Sequence, residues 1–523
     1  MNRISIDLDR VASDIDRNIF GGYMEFGYQD DRFEYLDIGD SPTADKNALR
    51  SDVRNALERI KLTNIRFPGG NFASGYRWKD GIGPRKERLT RHDLAWNGKM
   101  ENQYGTNEFI RLCRAMNIAP YLCANCGDGD MREAADWVEY CNGTGDTALV
   151  KLRQKHGFPE PHKVKYWGIG NEVDNLNQIG YKTGQEYARA YTEFSKVMKR
   201  VDPDIKLIAS AVCRWESPPF AANSEWVERA QLMLEQAGDR IDYMAIHQYA
   251  HPQEDDPFEN YMAFAMDFNY RMKAYEGLIS AVSLERGIKH HIGIAVDEWG
   301  VWRLPVRLRE VSPINITVDE WGNPHLPESG RNVRRFGDKM FINLEDALVT
   351  GLYLNAFIRH ANSIRMANFT PMPTMIGINL KQPAALQPIF YPFELYSRTC
   401  GQLALDVFWK GDTFSGAYNG RAYSGIRTLD VAATLDKSRK QLVVYVVNQS
   451  KEESMESTIS LTSGEFKGEM KISIINGPDI KAENTEDKPN QIVTRESVLK
   501  AIGKSLTYTF EPHSVTALVC DVN

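Results

Sequence analysis

Between residues 17 and 370 the apolar positions gather into eight short runs: NIFGGYMEF (18–26), NIRFPGG (64–70), APYLCANC (119–126), KYWGIGNE (165–172), IKLIASAV (205–212), DYMAIHQY (242–249), IGIAVDEW (292–299) and SIRMANF (363–369). Longer stretches with helical periodicity separate them, such as TNEFIRLCRAMN at 106–117 and EDALVTGLYLNAFIRHA at 345–361. Parallel strands covered on both faces read as continuous apolar runs, and intervening helices of this length have room to cover them. The rhythm predicts an α/β fold, a (β/α)8 TIM barrel over residues 17–385, whose chemistry sits at the C-terminal ends of its strands. After about residue 385 the pattern changes to short alternating segments, among them KQLVVYVVNQS and VTALVCDVN, broken by turn-rich sequence. This predicts a C-terminal all-β sandwich over 386–523. RISID, before the first barrel run, predicts that a strand from residues 1–16 returns to complete that sheet. The stretch from Arg303 to Lys339, rich in proline, glycine and charge, is too long for an ordinary βα connection and predicts a loop over the barrel mouth.

Composition narrows the partners. A chain of 523 residues exceeds a usual single core, in keeping with one large and one smaller domain. Its net charge of -7 and the lack of any concentrated block of Lys and Arg point away from nucleic acid. No apolar stretch approaches the roughly 18 to 20 residues of a membrane span, and the first residues alternate instead of forming a signal-peptide core. The expectation is a cytoplasmic protein with no membrane partner. Seven cysteines, an odd number in a long chain, predict reduced thiols. Cys123 and Cys126 form a C-x-x-C, but no second pair follows, Cys113 and Cys141 lie at irregular spacings, and no metal site is expected. GDGD at 127–130 lacks the spacing and final glutamate of a calcium loop and reads as a βα turn. His290 and His291 are adjacent, so they point different ways and read as surface residues.

Two runs end in glutamate: WGIGNEVDN at Glu172 and IAVDEWGVW at Glu298. Cleaving a glycosidic bond takes one carboxyl group to protonate the leaving oxygen and a second to stabilise or attack the oxocarbenium carbon, and two glutamates on barrel strands four and seven suit that division. A helix N-terminal carboxylate is the alternative for Glu172 alone. Asn171 is placed to bond a sugar hydroxyl beside the reacting carbon. HQY puts His247 and Tyr249 on one face of strand six, so that Tyr249 can steer Glu298 through its phenol; a core His and Tyr is the other reading. In FPGGNFASGYRW the glycines permit a tight turn and Asn71 faces the cavity, or merely caps a turn. Trp96, Trp299 and Trp302 offer flat faces for sugar rings, although a single Trp is more often core.

Taken together, WGIGNEVDN, VDEWGVW, RFPGGNFASGYRWKDGIGP, IDYMAIHQY and INLEDALVTGLYLNAFIRHA resemble the family 51 glycoside hydrolases, the α-L-arabinofuranosidases, and the resemblance continues through FYPFELYSR, VVNQSKEE and EPHSVTALV. It implies a retaining double displacement with Glu172 as acid/base and Glu298 as nucleophile. It also implies a furanose held by Glu25, Asn71, Asn171 and Tyr249, with Trp96 and Trp302 as aromatic walls. His247 belongs with these substrate contacts. The family needs no metal or organic cofactor, commonly forms hexamers, and couples its barrel to a jelly-roll-like sandwich. Three departures stand out: Phe26 where the family usually has His, Pro371 where a substrate-binding Gln is usual, and VDN in place of MDG. The leading expectation is a retaining exo-glycosidase that removes α-L-arabinofuranosyl units from oligosaccharides. The alternatives are the same mechanism on a galactofuranoside, D-arabinofuranoside or xyloside, and a carbohydrate-binding protein without turnover.

Overall fold

A computed structural model describes residues 2–25, 50–95, 98–176, 178–210, 212–213, 225–252, 256–301, 317–318, 324–325, 342–370, 372–376, 385–485 and 487–523. Eight parallel strands close into a barrel in chain order. They are β1 (Gly21–Tyr23), β2 (Asn64–Phe67), β3 (Ala119–Ala124), β4 (Tyr166–Ile169), β5 (Lys206–Ala209), β6 (Tyr243–Ala250), β7 (Gly293–Val301) and β8 (Ile364–Phe369). Strand β8 pairs back onto β1 through Asn368 and Gly21, which completes the ring. All nine residues of β7 are buried, as a strand covered on both faces requires.

A nine-stranded sheet forms the all-β part. Its strand Asn2–Asp14 pairs antiparallel with Leu403–Lys410 and parallel with Met455–Leu461. Alternation explains the fit: Ile4, Ile6 and Leu8 face a core with Leu429, Val431, Val444 and Leu518, while Arg3 and the residues between remain accessible to varying degrees.

The helix Leu344–Arg359 joins the two parts. It is apolar nearly all round because it is covered on more than one side. A Cβ at Gly351 would lie 3.0 Å from Val447 and 3.2 Å from Val515 of the sheet, so helix and sheet are in close contact there. Asn355 donates to Asp430 at 2.8 Å, and Arg359 pairs with the same carboxylate at 2.7 Å. The span predicted as a mouth loop, Arg303 to Lys339, lies outside the described residues apart from a two-residue ladder, Thr317–Val318 with Pro324–His325. Among the described residues no helix is long and apolar enough to cross a membrane.

Candidate active site

Alternation along the strands layers the barrel interior. Tyr121, Tyr166, Ile208, Ala245, Ala295 and Met366, one from each of β3 to β8, fill an apolar layer. Towards the C-terminal ends the interior turns polar. A β-bulge helps to make it so: Ala295 pairs with Ala245 and Glu298 with His247, which puts three steps on β7 against two on β6. Asp297 and Glu298 consequently both reach inward. Trp299 points outward and packs against Tyr353, Phe357, Phe369 and Phe393 with ring centroids 4.9 to 6.2 Å apart. It is fully buried, so its reading as a sugar platform is corrected: it is a core residue.

The charge at the centre is Arg66 on β2, fully buried between the rings of Tyr23 and Tyr121 at 5.5 and 5.8 Å. Its Nη1 donates to Glu298 Oε1 at 2.8 Å, its Nη2 to Asn171 Oδ1, and its Nε lies 3.6 Å from Asp297. Tyr249 donates to the other oxygen of Glu298 at 2.7 Å. Burial pushes the Glu298 carboxyl above the ordinary glutamate range, and His247, Arg66 and Tyr249 hold it back. For Asp297, burial works in the same direction, but Arg66, His247 and the Tyr121 hydroxyl at 2.8 Å outweigh it and keep the group ionised.

Glu172 arrives differently. Strand β4 ends at Ile169, Gly170 turns the chain at φ 82°, and Glu172 itself sits at φ 41°. A left-handed glutamate is strained by about 1 to 3 kcal/mol, and such strain gathers where a side chain must be aimed. Its Oε1 meets His247 Nδ1 at 3.0 Å and its Oε2 accepts from Asn175 at 3.3 Å. His247 Nε2 lies 3.3 Å from Asp297 and Nδ1 also 3.4 Å from Glu298, so the imidazole stands among three carboxylates. Burial opposes a charge there, but Cys213, Glu298 and Asp297 more than offset it and raise its pKa.

Glu25 accepts from the backbone N–H of Gly70 and Phe72 at 3.3 and 3.5 Å. The close approach needs glycine at 69, where φ is 131° and a Cβ would lie 2.7 Å from the Glu25 Cα. Burial, then the Glu298 charge, push the Glu25 carboxyl up to about 8 from 4.5. Over that interval the unfolded chain releases a proton that the folded chain keeps, so folding loses up to roughly 1.4 kcal/mol per pH unit as pH rises. Glu25→Gln removes this contribution. In urea denaturation the variant is expected to gain on the parent by about 1 to 3 kcal/mol between pH 5 and pH 8; identical pH dependence would mean that Glu25 is ionised in the fold.

Of the residues singled out from sequence, Glu25, Asn71, Asn171, Glu172, His247, Tyr249 and Glu298 converge, Asn71 through a 3.4 Å contact from Asn171. Trp96 and Trp302, with Phe26 and Pro371, lie outside the described residues. Arg66, Asp297, Tyr23 and Tyr121 escaped sequence reasoning. An arginine inside the apolar run NIRF was the available signal, since a charge in a buried strand needs a partner. Cys123 and Cys126 are buried free thiols, and GDGD follows β3 with Asp130 capping the helix Met131–Asn142.

A closed parallel barrel with two differently held carboxylates at its C-terminal end is the arrangement that glycoside hydrolysis requires. Comparison sharpens this. The model for the α-L-arabinofuranosidase 1 domain matches residues 56–269 and that for the α-L-arabinofuranosidase C-terminal domain matches 297–514. α-L-Arabinofuranosidase C of Emericella nidulans is 32% identical, over 98% of this chain and 96% of its own length. Intracellular exo-α-(1→5)-L-arabinofuranosidase 1 of Bacillus subtilis is 29% identical, over 98% and 97%. The solved GH51 α-L-arabinofuranosidase of Thermotoga petrophila superposes with a TM-score of 0.82 at 31% identity, covering 99% of this chain and all of that one. The chain belongs to glycoside hydrolase family 51, the α-L-arabinofuranosidases.

Proposed function

We propose that the protein is a retaining exo-glycosidase that releases terminal α-L-arabinofuranosyl residues from arabinose-containing oligosaccharides. The observation that carries the mechanism is spacing: a carboxylate oxygen of Glu172 lies within 4.8 Å of one of Glu298. Retaining pairs stand about 5 to 5.5 Å apart, whereas inverting pairs need about 6.5 to 9.5 Å to admit a water. In the first step Glu298 attacks the anomeric carbon while Glu172 gives its proton to the departing oxygen. Water, deprotonated by Glu172, then attacks the same carbon and frees Glu298. Glu25, Asn71, Asn171 and Tyr249 line the position of the sugar, and His247 orients Glu172. The relatives' printed names, two of them α-L-arabinofuranosidases and one an exo-α-(1→5)-L-arabinofuranosidase, support the glycone.

Glu172→Ala tests the assignment of roles. For an aryl arabinofuranoside with a very good leaving group, kcat/KM should change by less than about tenfold, because little protonation is needed; for an arabino-oligosaccharide it should fall by about 10² to 10⁴. Equal losses on both substrates would remove Glu172 from the acid role.

Phe26 and Pro371 favour a second reading, in which the same mechanism serves a galactofuranoside, D-arabinofuranoside or xyloside, since proline has no side-chain donor where the resemblance implies a glutamine. A panel of the four aryl glycosides decides between them: turnover confined to α-L-arabinofuranoside supports the first reading. The proposal extends to a barrel over 17–385 and a β-sandwich over 386–523 joined by residues 1–16. It extends also to a cytoplasmic location and a hexamer, which sedimentation tests directly.

A further inference from the structure

Outside the nine-stranded sheet, a separate hairpin of Thr413–Tyr418 with Arg421–Arg427 leaves the β part of the chain and reaches the barrel. Its turn is Asn419-Gly420, with φ 49° and 73°, a pairing suited to a two-residue hairpin loop. It lies against the helices that follow β6, Phe258–Met262 and Phe264–Arg286. Ala417 N–H donates to Asn260 at 2.8 Å, and the Tyr423 hydroxyl donates to Asp267. A Cβ at Gly416 would stand 2.5 Å from the Glu259 carbonyl, so the two backbones are in contact.

Tyr418 reaches furthest. Its buried ring meets Phe264 edge-on at 5.5 Å, and its hydroxyl accepts the backbone N–H of His251 at 3.0 Å. His251 stands two residues beyond Tyr249, and the two rings lie 6.4 Å apart. Strand β6 therefore ends in a peptide fixed by the hairpin, next to the phenol that grips Glu298. From the other side Tyr353 holds the same strand end, donating to the Gln248 carbonyl at 2.8 Å.

We infer that Tyr418 is a positioning residue for the reaction: through the His251 peptide it sets the Tyr249 hydroxyl against Glu298, and so makes the C-terminal hairpin part of the catalytic apparatus. The inference rests on the nucleophile reading of Glu298 given above. Loosening the end of β6 lengthens the Tyr249–Glu298 bond, and that bond is one of the interactions holding the Glu298 pKa down.

Tyr418→Phe is the test, since it keeps the ring on Phe264 and removes the hydroxyl that accepts from His251. Measured on the full-length enzyme with an aryl arabinofuranoside, kcat should fall by about threefold to tenfold, the scale of one hydrogen bond, with KM little changed. The acid limb of kcat/KM should move to higher pH, in the direction set by Tyr249→Phe. Asn260→Ala, which frees the hairpin at Ala417 instead, should give a smaller shift of the same sign. A Tyr418→Phe enzyme with the parental pH profile and kcat overturns the inference, as does one that loses thermal stability without any shift of the limb. If Glu298→Ala kept its activity, the nucleophile reading itself would fail. Glu298→Ala inactive beside an unaltered Tyr418→Phe isolates the failure to Tyr418.

Discussion

Replacing Glu298 by alanine is expected to lower kcat on an aryl α-L-arabinofuranoside by on the order of 10⁴-fold or more, with free arabinose still bound. The size follows from how the group is held. One oxygen takes Arg66 at 2.8 Å and the other takes Tyr249 at 2.7 Å, so the carboxylate has a fixed orientation, and both partners oppose the rise in pKa that burial imposes. Its neighbour Asp297 cannot take its place, being tied to Arg66, His247 and Tyr121. Chemical rescue makes the test geometric. Azide added to Glu298→Ala should enter the vacated side of the sugar and give a glycosyl azide of inverted anomeric configuration. Activity within tenfold of the parent would sink the assignment. A chain that binds arabinose but shows no hydrolysis in the parent either would instead be the binding protein that the sequence left as an alternative.

The eight apolar runs were legible because strands buried on both faces must be apolar throughout, and helices must have space between them. β5 shows the limit of that legibility. The run at 205–212 is longer than the strand, Lys206–Ala209, because an apolar run marks burial and not hydrogen bonding. The two glutamates were legible as carboxyls near the ends of apolar runs, although Glu172 lies beyond β4 and Glu298 within β7. The machinery under them was not, for a physical reason. Period-two alternation carried along β7 from Ala295 turns Asp297 inward and Glu298 outward. The bulge adds a residue and admits both, and a bulge leaves no mark in the hydrophobic pattern. The same break sends Trp299 into the core, which is why its indole was misjudged as a platform. Arg66 carried a signal that went unused: it sits in an apolar run between Ile65 and Phe67, where a charge is tolerated only if something across the barrel neutralises it. What neutralises it lies more than 200 residues away in sequence, at Asp297 and Glu298, beyond the reach of any local pattern.

That same pairing makes Arg66→Met the variant with the largest effect on the fold. Methionine matches the length of the arginine stem but brings no charge, so Asp297 and Glu298 are left buried together, with only His247 still cationic between them. Removing one partner of a buried ion pair destabilises by about 3 to 5 kcal/mol, most of it the penalty on the charge left behind. Denaturant titration at pH 7 should show a loss of that size, and Arg66→Lys should recover only part of it, because an ammonium cannot reach Glu298, Asn171 and Asp297 in one plane. If the loss is a matter of stranded charge and not of packing, it must depend on Glu298. Glu298→Gln in the Arg66→Met background should therefore restore roughly 1 to 2 kcal/mol, a coupling that independent sites do not show. Strict additivity of the two substitutions would mean that the arginine acts by filling space between Tyr23 and Tyr121. The electrostatic account of what opposes burial at Glu298 would then have to be rebuilt on His247 and Tyr249 alone.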